Sequence, residues 1–383
     1  MNVSLVLLRY FPYGGLQRDM LRTGARARAA GHAVRILTSR WEGPRPEGMG
    51  VRLLPVAGRS NHERAVRFAA ALAEVLRAEP ADVVVGFDKL PCLDLYFAAD
   101  PCFRARAQSR RGALYRLTPR YRSFSRLEAQ VFTHGAATRI LLLDPRQQAV
   151  YAHWYGTEAE RFVALPPGTA RDRCAGPESM VQRVRLRREL AHPDENHLVL
   201  LLGSDFRRKG LDRALRSLAA LPGALRSRTR LLAVGQDDPG PMRRHAARLG
   251  IGAQVRIEPG RGDVPALLQA ADLLIHPARE ENTGTVLLEA LVAGLPVLCS
   301  GACGYAPYIS EAKAGAVTPE PFRQEVLTSE LVRLLRADRA LLRRRALDYA
   351  AGTDLYSMHD RMLDEIERVG SERRRGTATM DSA

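Results

Sequence analysis

Two glutamates, Glu281 and Glu289, frame the most informative stretch of the chain, ADLLIHPAREENTGTVLLEALVAGLPVLC over 271–299. Glu289 falls among Val286, Leu287, Leu288, Ala290, Leu291 and Val292. A carboxylate buried there without donors costs several kcal/mol, so it needs a hydrogen-bonding partner. Glu281 sits just ahead of a helix that opens at Gly284, where glycine lets a ligand approach the free N–H groups of the first turn; those groups favour an anion. A second loop, Gly203-Ser204-Asp205-Phe206-Arg207-Arg208-Lys209-Gly210, presents Arg208 and Lys209 as cations able to neutralise a diphosphate as it leaves. A third runs from Tyr10 into Gly14-Gly15, with Asp19 one turn into the helix that follows. Glycines there permit close approach of a phosphate to the helix N-terminus. The plainer alternatives stay open at this point. Glu289 could satisfy neighbouring backbone, Glu281, Arg208 and Lys209 could be solvated, and Asp19 could be an ordinary early-helix acid.

Each of these loops follows an apolar run and precedes a helical pattern. In the first half the expected strands cover 2–8, 32–38, 51–56, 82–86, 95–99, 138–143 and 161–165, with helices over 15–30, 61–78 and 145–155. After Pro166-Pro167-Gly168 the rhythm restarts: strands over 197–202, 230–234, 254–258, 271–277 and from 295, helices over 181–190, 211–220, 241–249 and 264–270, and two more near 323–336 and 338–351. Near-continuous apolar strands alternating with helices predict an α/β chain with two Rossmann-like, doubly wound parallel sheets facing each other across a cleft. The expected domains are 1–168 and 169–350, with a helix over 351–370 returning to the first domain and a disordered, charged tail over 371–383.

Several chemistries lack their signatures. No H-E-x-x-H, G-x-S-x-G or D-x-D occurs, and the 203–210 loop lacks Walker A spacing; the first glycine loop is not G-x-G-x-x-G and no acid follows the second strand at the ribose position, so a nicotinamide cofactor is disfavoured. His276 reads as a packed or hydrogen-bonded histidine rather than a metal ligand. The five cysteines (Cys92, Cys102, Cys174, Cys299, Cys303) are scattered, as expected of reduced thiols in a cytoplasm. No apolar run is long enough to span a bilayer, and the N-terminus reads as a strand instead of a signal peptide.

A net charge of +16, carried almost wholly by arginine since Lys89, Lys209 and Lys313 are the only lysines, attracts polyanions. It is concentrated at 103–132, where eight arginines face one acid, Glu128. Arg104, Arg110, Arg111, Arg116, Arg120 and Arg122 are interleaved there with Tyr115, Tyr121 and other large apolar residues, which suits contact with an anionic headgroup layer. Nucleic acid is disfavoured because no RNA-binding motif accompanies the charge.

Together the E-x7-E of Glu281 and Glu289, the GSDFRRKG loop, the N-terminal Gly-Gly and the two-domain plan resemble the retaining GT-B glycosyltransferases of family 4. YFPYGGLQRD, SRWEG, VVGFDK, LYRLTPRYR, VGQD and CGYAPYI bring the likeness closer to the branch that adds the first hexose to the heptose region of lipopolysaccharide, over about residues 1–360. The resemblance implies a UDP-hexose donor, a heptosylated lipid A–core acceptor, an anionic inner-membrane surface and no cofactor or metal. It implies that Glu289 bonds the ribose, that Glu281 and the backbone of Asn282, Thr283, Gly284 and Thr285 hold the hexose, and that Arg208, Lys209 and Gly15, with Gly14 and Gly203 nearby, grip the diphosphate. Arg261 and Arg173 would flank the uracil, Asp19 would contact sugar or acceptor, and Asp100 would lie near the reacting carbon. Asn282 and Thr283 stand where small apolar residues are expected in a glucose-specific member, which opens galactose or an N-acetylhexosamine as donors. The rival expectations are a GT-B enzyme of another reaction, such as an epimerase or a transferase to a soluble acceptor, and a non-enzymatic anion-binding module.

Overall fold

Parallel strands, almost wholly buried at the centre of each sheet and half-exposed at its edges, dominate both halves of the chain. The computed structural model describes residues 1–380 except Tyr13 and Arg111, and the side chains of Arg110, Ala113 and 376–380 also lie outside the description. The chain divides into two compact units, Met1–Pro166 with Ser357–Ala383, and Pro167–Tyr356. These divisions fall at 166/167 and 356/357, where the sequence placed them at 168 and 350.

The first unit contains β1 (Asn2–Val6), β2 (Arg9–Tyr10), β3 (Ala33–Thr38), β4 (Arg40–Trp41), β5 (Gly50–Leu53), β6 (Val83–Gly86), β7 (Leu95–Ala98), β8 (Arg139–Leu142) and β9 (Phe162–Ala164). Its helices are α1 (Gly15–Ala29), α2 (Asn61–Ala78), α3 (Phe103–Arg110), α4 (Pro119–Phe132) and α5 (Arg146–Tyr155). Seven strands form one sheet in the order β5-β3-β1-β6-β7-β8-β9, while β2 and β4 pair separately. The order reverses between β1 and β6, the point where open α/β sheets bind ligands beyond their C-terminal edges.

The second unit carries α6 (Ser179–Glu189), β10 (His197–Leu202), α7 (Leu211–Ala219), α8 (Gly223–Ser227), β11 (Thr229–Val234), α9 (Gly240–Arg248), β12 (Val255–Glu258), α10 (Val264–Ala270), β13 (Leu273–His276), α11 (Thr285–Val292), β14 (Val297–Ser300), α12 (Ala306–Ala312), β15 (Gly315–Thr318), α13 (Gln324–Arg336) and α14 (Arg339–Gly352). Its six parallel strands run β12-β11-β10-β13-β14-β15, reversing between β10 and β13. Leu200, Leu274, Leu287, Leu291 and Val297 fill one face of this sheet, and Leu201, Leu215, Leu273 and Leu298 fill the other. The expected doubly wound pair of parallel sheets is thus the observed fold. In this unit the sequence reading missed α8, α12 and β15, all short.

The last helix, α15 (Met358–Met380), packs its Met358, Met362, Ile366 and Val369 into the core of the first unit with Met20 and Ala27 of α1. Arg26–Asp360 (3.1 Å) and His32–Glu367 (3.0 Å) rim that contact. Most of the tail expected to be disordered is helical. Glu372 pairs with Arg139 and Arg368, and Arg373 lies 2.6 Å from Asp94, so the charges that suggested disorder find partners on the unit's own surface. Residues 381–383 lie outside the described residues.

Candidate active site

β10 and β13 are hydrogen-bonded neighbours, so the loops that leave them at the C-terminal edge, 203–210 and 277–284, lie side by side. Gly210 permits the contact. It adopts φ 80°, and a Cβ there would sit 2.0 Å from the Pro277 carbonyl oxygen. The Arg279 N–H donates to the Arg208 carbonyl at 2.8 Å, closing the two loops on each other. Arg208 and Lys209 are thereby brought to Glu281. The Lys209 ammonium is in direct contact with Oε2 of Glu281, Arg208 Nη1 lies 3.4 Å from that oxygen and His276 Nε2 lies 3.5 Å from it. Burial pushes the Glu281 carboxyl up, but the His276 ring, Lys209 and Arg208 together outweigh it and hold the pKa well below the usual carboxylate range. Burial also pushes the His276 pKa down, with Lys209 and Arg208 adding to the effect and Glu281 opposing it. The Lys209 stem crosses over Gly203, whose φ is 122°, and an added Cβ there would meet Lys209 Cε at 3.3 Å.

A second strap holds the 281–283 backbone. Glu281 and Cys303 form a parallel bridge, the Gly304 N–H donates to the Glu281 carbonyl at 3.2 Å, and the Tyr305 N–H donates to that of Thr283 at 2.8 Å. A Cβ on Gly304 would sit 1.9 Å from the Asn282 carbonyl oxygen, so only glycine fits. Half-buried Asn282, Thr283 and Thr285 surround Gly284, which caps α11 at φ 84°. The first N–H groups of α11 have no acceptor within the helix, and the macrodipole adds positive potential in the same place. One turn further on, buried Glu289 has Arg173 Nε at 3.6 Å from Oε1. Arg173 is itself buried and touches Asp172 at 3.3 Å. Arg261 lies beyond β12, its guanidinium committed to Asp263 (2.6 Å), Glu258 (3.0 Å) and Glu189 (3.1 Å).

In the first unit, Gly14 and Gly15 open α1 beside the reversal point. Among the described residues, a Cβ on Gly15 would meet nothing within 4 Å. Asp19 Oδ1 faces His359 Nε2 of α15 at 3.6 Å. On the neighbouring strand's loop, half-buried Asp88 accepts the Leu8 N–H at 2.6 Å. Burial raises its pKa to about 6, the Leu8 N–H opposes the rise, and the charge of exposed Asp100 adds to it. The Asp100 carbonyl accepts from the Tyr151 hydroxyl at 3.1 Å. The loop beyond Asp100 is fastened by Glu128, fully buried, which accepts from Lys89 Nζ (2.5 Å), the Phe103 N–H (2.7 Å), the Arg104 N–H (3.1 Å) and the Tyr155 hydroxyl (2.6 Å). Asp88, Glu128 and His359 were missed as site residues. Only Asp88 left a signal, an acid two residues beyond a buried strand at the reversal point.

The basic segment reads differently in three dimensions. Phe103, Tyr121 and Phe124 pack together, as do Tyr115 and Tyr121, so the aromatics are turned toward each other. Arg104 is half-buried over the rings of Trp154 (5.3 Å) and Tyr155 (5.2 Å), which takes it out of the expected membrane-facing set. Leu114 (79% exposed) and Leu117 (63%) point outward beside exposed Arg116, Arg120 and Arg122. Arg111 and the Arg110 side chain lie outside the described residues. Among the described residues, no helix is long and apolar enough to cross a membrane, and no cluster of three or more His, Cys, Asp or Glu could hold a metal ion.

Two family models match the chain. Residues 13–173 match "Glycosyltransferase Family 4" and residues 182–352 match "Glycosyl transferases group 1". The lipopolysaccharide glucosyltransferase WaaG of Escherichia coli (strain K12) is 43% identical over 96% of this chain and 98% of its own length. A crystal structure of WaaG superposes with a TM-score of 0.91, covering 95% of this chain and 99% of that one. HepE from Anabaena, solved with UDP and glucose, is only 17% identical over 97% of this chain and 100% of its own; at a TM-score of 0.73 it shows the fold alone. A D-inositol 3-phosphate glycosyltransferase of Catenulispora acidiphila is 30% identical over 60% of this chain and 57% of its own length. On the near full-length match to WaaG, the chain belongs to the family 4 glycosyltransferases of GT-B fold and is an enzyme of the lipopolysaccharide glucosyltransferase type.

Proposed function

We propose that this enzyme transfers a hexose from a UDP-sugar to the heptose region of the lipopolysaccharide inner core, with retention of configuration and without a metal, on the cytoplasmic face of the inner membrane. The observation that carries the reading is the meeting of Lys209, Arg208 and Glu281 beside the N-terminus of α11. The donor's diphosphate takes the two cations and the helix N-terminus, which stabilise the charge that grows on the leaving phosphate. Glu281 then turns to the hexose hydroxyls, and Glu289 with Arg173 holds the ribose and base. Attack comes from the face the phosphate leaves, and the departing phosphate accepts the acceptor's proton, so no protein base is needed. EDTA should therefore leave turnover unchanged; loss of turnover restored by a divalent cation would overturn metal independence.

Asn282 and Thr283 stand at the hexose pocket with their backbone fixed by Gly304 and Tyr305. Their amide and hydroxyl offer hydrogen bonds to a sugar's axial hydroxyl or acetamido group, which supports galactose or an N-acetylhexosamine beside glucose. The deciding experiment presents UDP-glucose, UDP-galactose and the UDP-N-acetylhexosamines in turn with a heptose-terminated core acceptor. Transfer from one of them establishes reaction and donor together. No transfer from any, on an acceptor that WaaG of Escherichia coli can use, overturns the reading. Leu114, Leu117, Arg116, Arg120 and Arg122 support peripheral attachment to an anionic bilayer.

A further inference from the structure

Helix α6 opens the second unit and carries large apolar side chains on its outer face. Arg183, Leu186 and Arg187 are buried against the unit. The opposite face exposes Met180 (66%), Val181 (68%) and Val184 (43%), together with Arg185 and Arg188. At about 100° per residue, Met180, Val184, Arg188, Val181 and Arg185 follow one another within an arc of about 140°. An ordinary solvent face mixes charges of both signs. This one holds three large apolar side chains and two arginines, with no acid inside the arc. Glu178 caps the far end and Glu189 is engaged by Arg261 at 3.1 Å. Among the described residues, neither Arg185 nor Arg188 forms an ion pair.

We infer that the outer face of α6 is a second bilayer contact, carried by the donor-binding unit and separate from the 103–132 segment. The match is one of chemistry. Exposed Met and Val side chains enter the acyl boundary while arginines between them reach anionic headgroups, as in helices that lie in a membrane interface. A soluble partner of mixed charge would leave Arg185 and Arg188 without complementary acids along the whole stripe. An anionic lipid surface supplies negative charge at every position. The helix is short, so α6 acts as an auxiliary contact for a chain whose net charge of +16 already draws it to that surface.

The test is co-sedimentation of the full chain with vesicles of phosphatidylethanolamine and phosphatidylglycerol, against phosphatidylcholine alone. The double variant Arg185→Gln/Arg188→Gln should lower partition to the anionic vesicles by about five-fold per arginine at low salt, an effect that fades at high salt. The triple variant Met180→Gln/Val181→Gln/Val184→Gln keeps helix-forming residues on an exposed face and should weaken binding at high salt as well. Val181→Trp should be quenched by brominated acyl chains. Wild-type partition in both Gln variants, with unquenched Val181→Trp, overturns the proposal. So does unchanged vesicle binding with an altered sedimentation velocity, which would make the face an interface between copies of this chain. Arg116→Gln/Arg120→Gln/Arg122→Gln, run in parallel, separates the two contacts. If that variant binds normally while the α6 variants do not, the 103–132 reading falls and this one stands.

Discussion

The Lys209 ammonium rests directly on the Glu281 carboxylate, although 72 residues of chain separate them. The pair sits where the strand order reverses between β10 and β13, and each charge balances the other. In the proposed reaction, a bound diphosphate would exchange one anion for another around Lys209 and release Glu281 to the sugar. Glu281→Ala is accordingly expected to reduce transfer by about 100-fold or more. Nucleotide binding should be nearly intact, because the cations remain and their competitor is gone. Calorimetry with UDP beside initial-rate measurements checks this. Lost folding would assign Glu281 a structural role, and retained transfer would remove it from the site.

Lys209→Met leaves the half-buried Glu281 carboxylate with only Arg208 and His276. A broken buried pair costs on the order of 3 kcal/mol, so the denaturant midpoint should fall along with donor affinity. The double variant Lys209→Met/Glu281→Gln should recover most of the stability and none of the activity. Equal stability of the single and double variants would show that the two groups are not coupled.

The pH dependence of stability follows from His276 and Glu281. Burial keeps His276 neutral in the native state at pH values where an unfolded histidine, with a pKa of about 6.5, takes up a proton. Stability therefore falls as pH drops below about 6.5. Glu281 is depressed, so its contribution is intact above the unfolded carboxylate value of about 4.3 and is lost only as pH falls further. Urea unfolding at pH 7.5 and 5.5 (set on either side of the unfolded histidine value of about 6.5) should show a drop that His276→Gln reduces. Burial lowers His192 and His197 as well, so part of the drop will remain. An undiminished drop in the variant would show that His276 is not the group involved.

Asp88 is expected to titrate near pH 6, and carboxyl carbon NMR reads this directly. Because the charge of Asp100 contributes to the rise, Asp100→Asn should move the midpoint down. The native state binds the proton more tightly than the unfolded one here, so Asp88 favours folding at low pH and that contribution fades as pH rises through about 6. A midpoint in the ordinary carboxylate range, or one indifferent to Asp100, would remove the coupling.

Gly304→Ala tests the strap without replacing any residue proposed to meet substrate. Its Cβ would fall 1.9 Å from the Asn282 carbonyl oxygen, so the 282–283 backbone must shift. The expected result is a rise in KM for the donor and a loss of discrimination between UDP-hexoses, with far-UV circular dichroism unchanged. Unaltered donor preference would show that the strap does not set the hexose pocket.

Much of this protein is legible in its residues. Apolar runs alternating with helical patterns determine two parallel α/β sheets, and glycines at 14–15, 203, 210 and 284 mark the turns where a backbone can approach a ligand. Glu289 announces itself as a carboxylate on an apolar helix. Periodicity reports which face of an element is buried, not which strand lies beside it. That β10 neighbours β13 depends on packing across the whole sheet, and only this adjacency turns Arg208, Lys209, His276 and Glu281 into one group. The same limit hid Asp88 and His359, whose partners Leu8 and Asp19 are remote in the chain. It also made a charged C-terminal segment look disordered when its partners, Arg139 and Asp94, lie on the first unit. Composition located the aromatics and arginines of 103–132, but their packing turned Phe103, Tyr121 and Arg104 inward and left Leu114 and Leu117 outside. Local pattern selects elements because hydrogen bonds and burial repeat along the chain; sites are decided in space, because charge acts over ångströms and is indifferent to sequence distance.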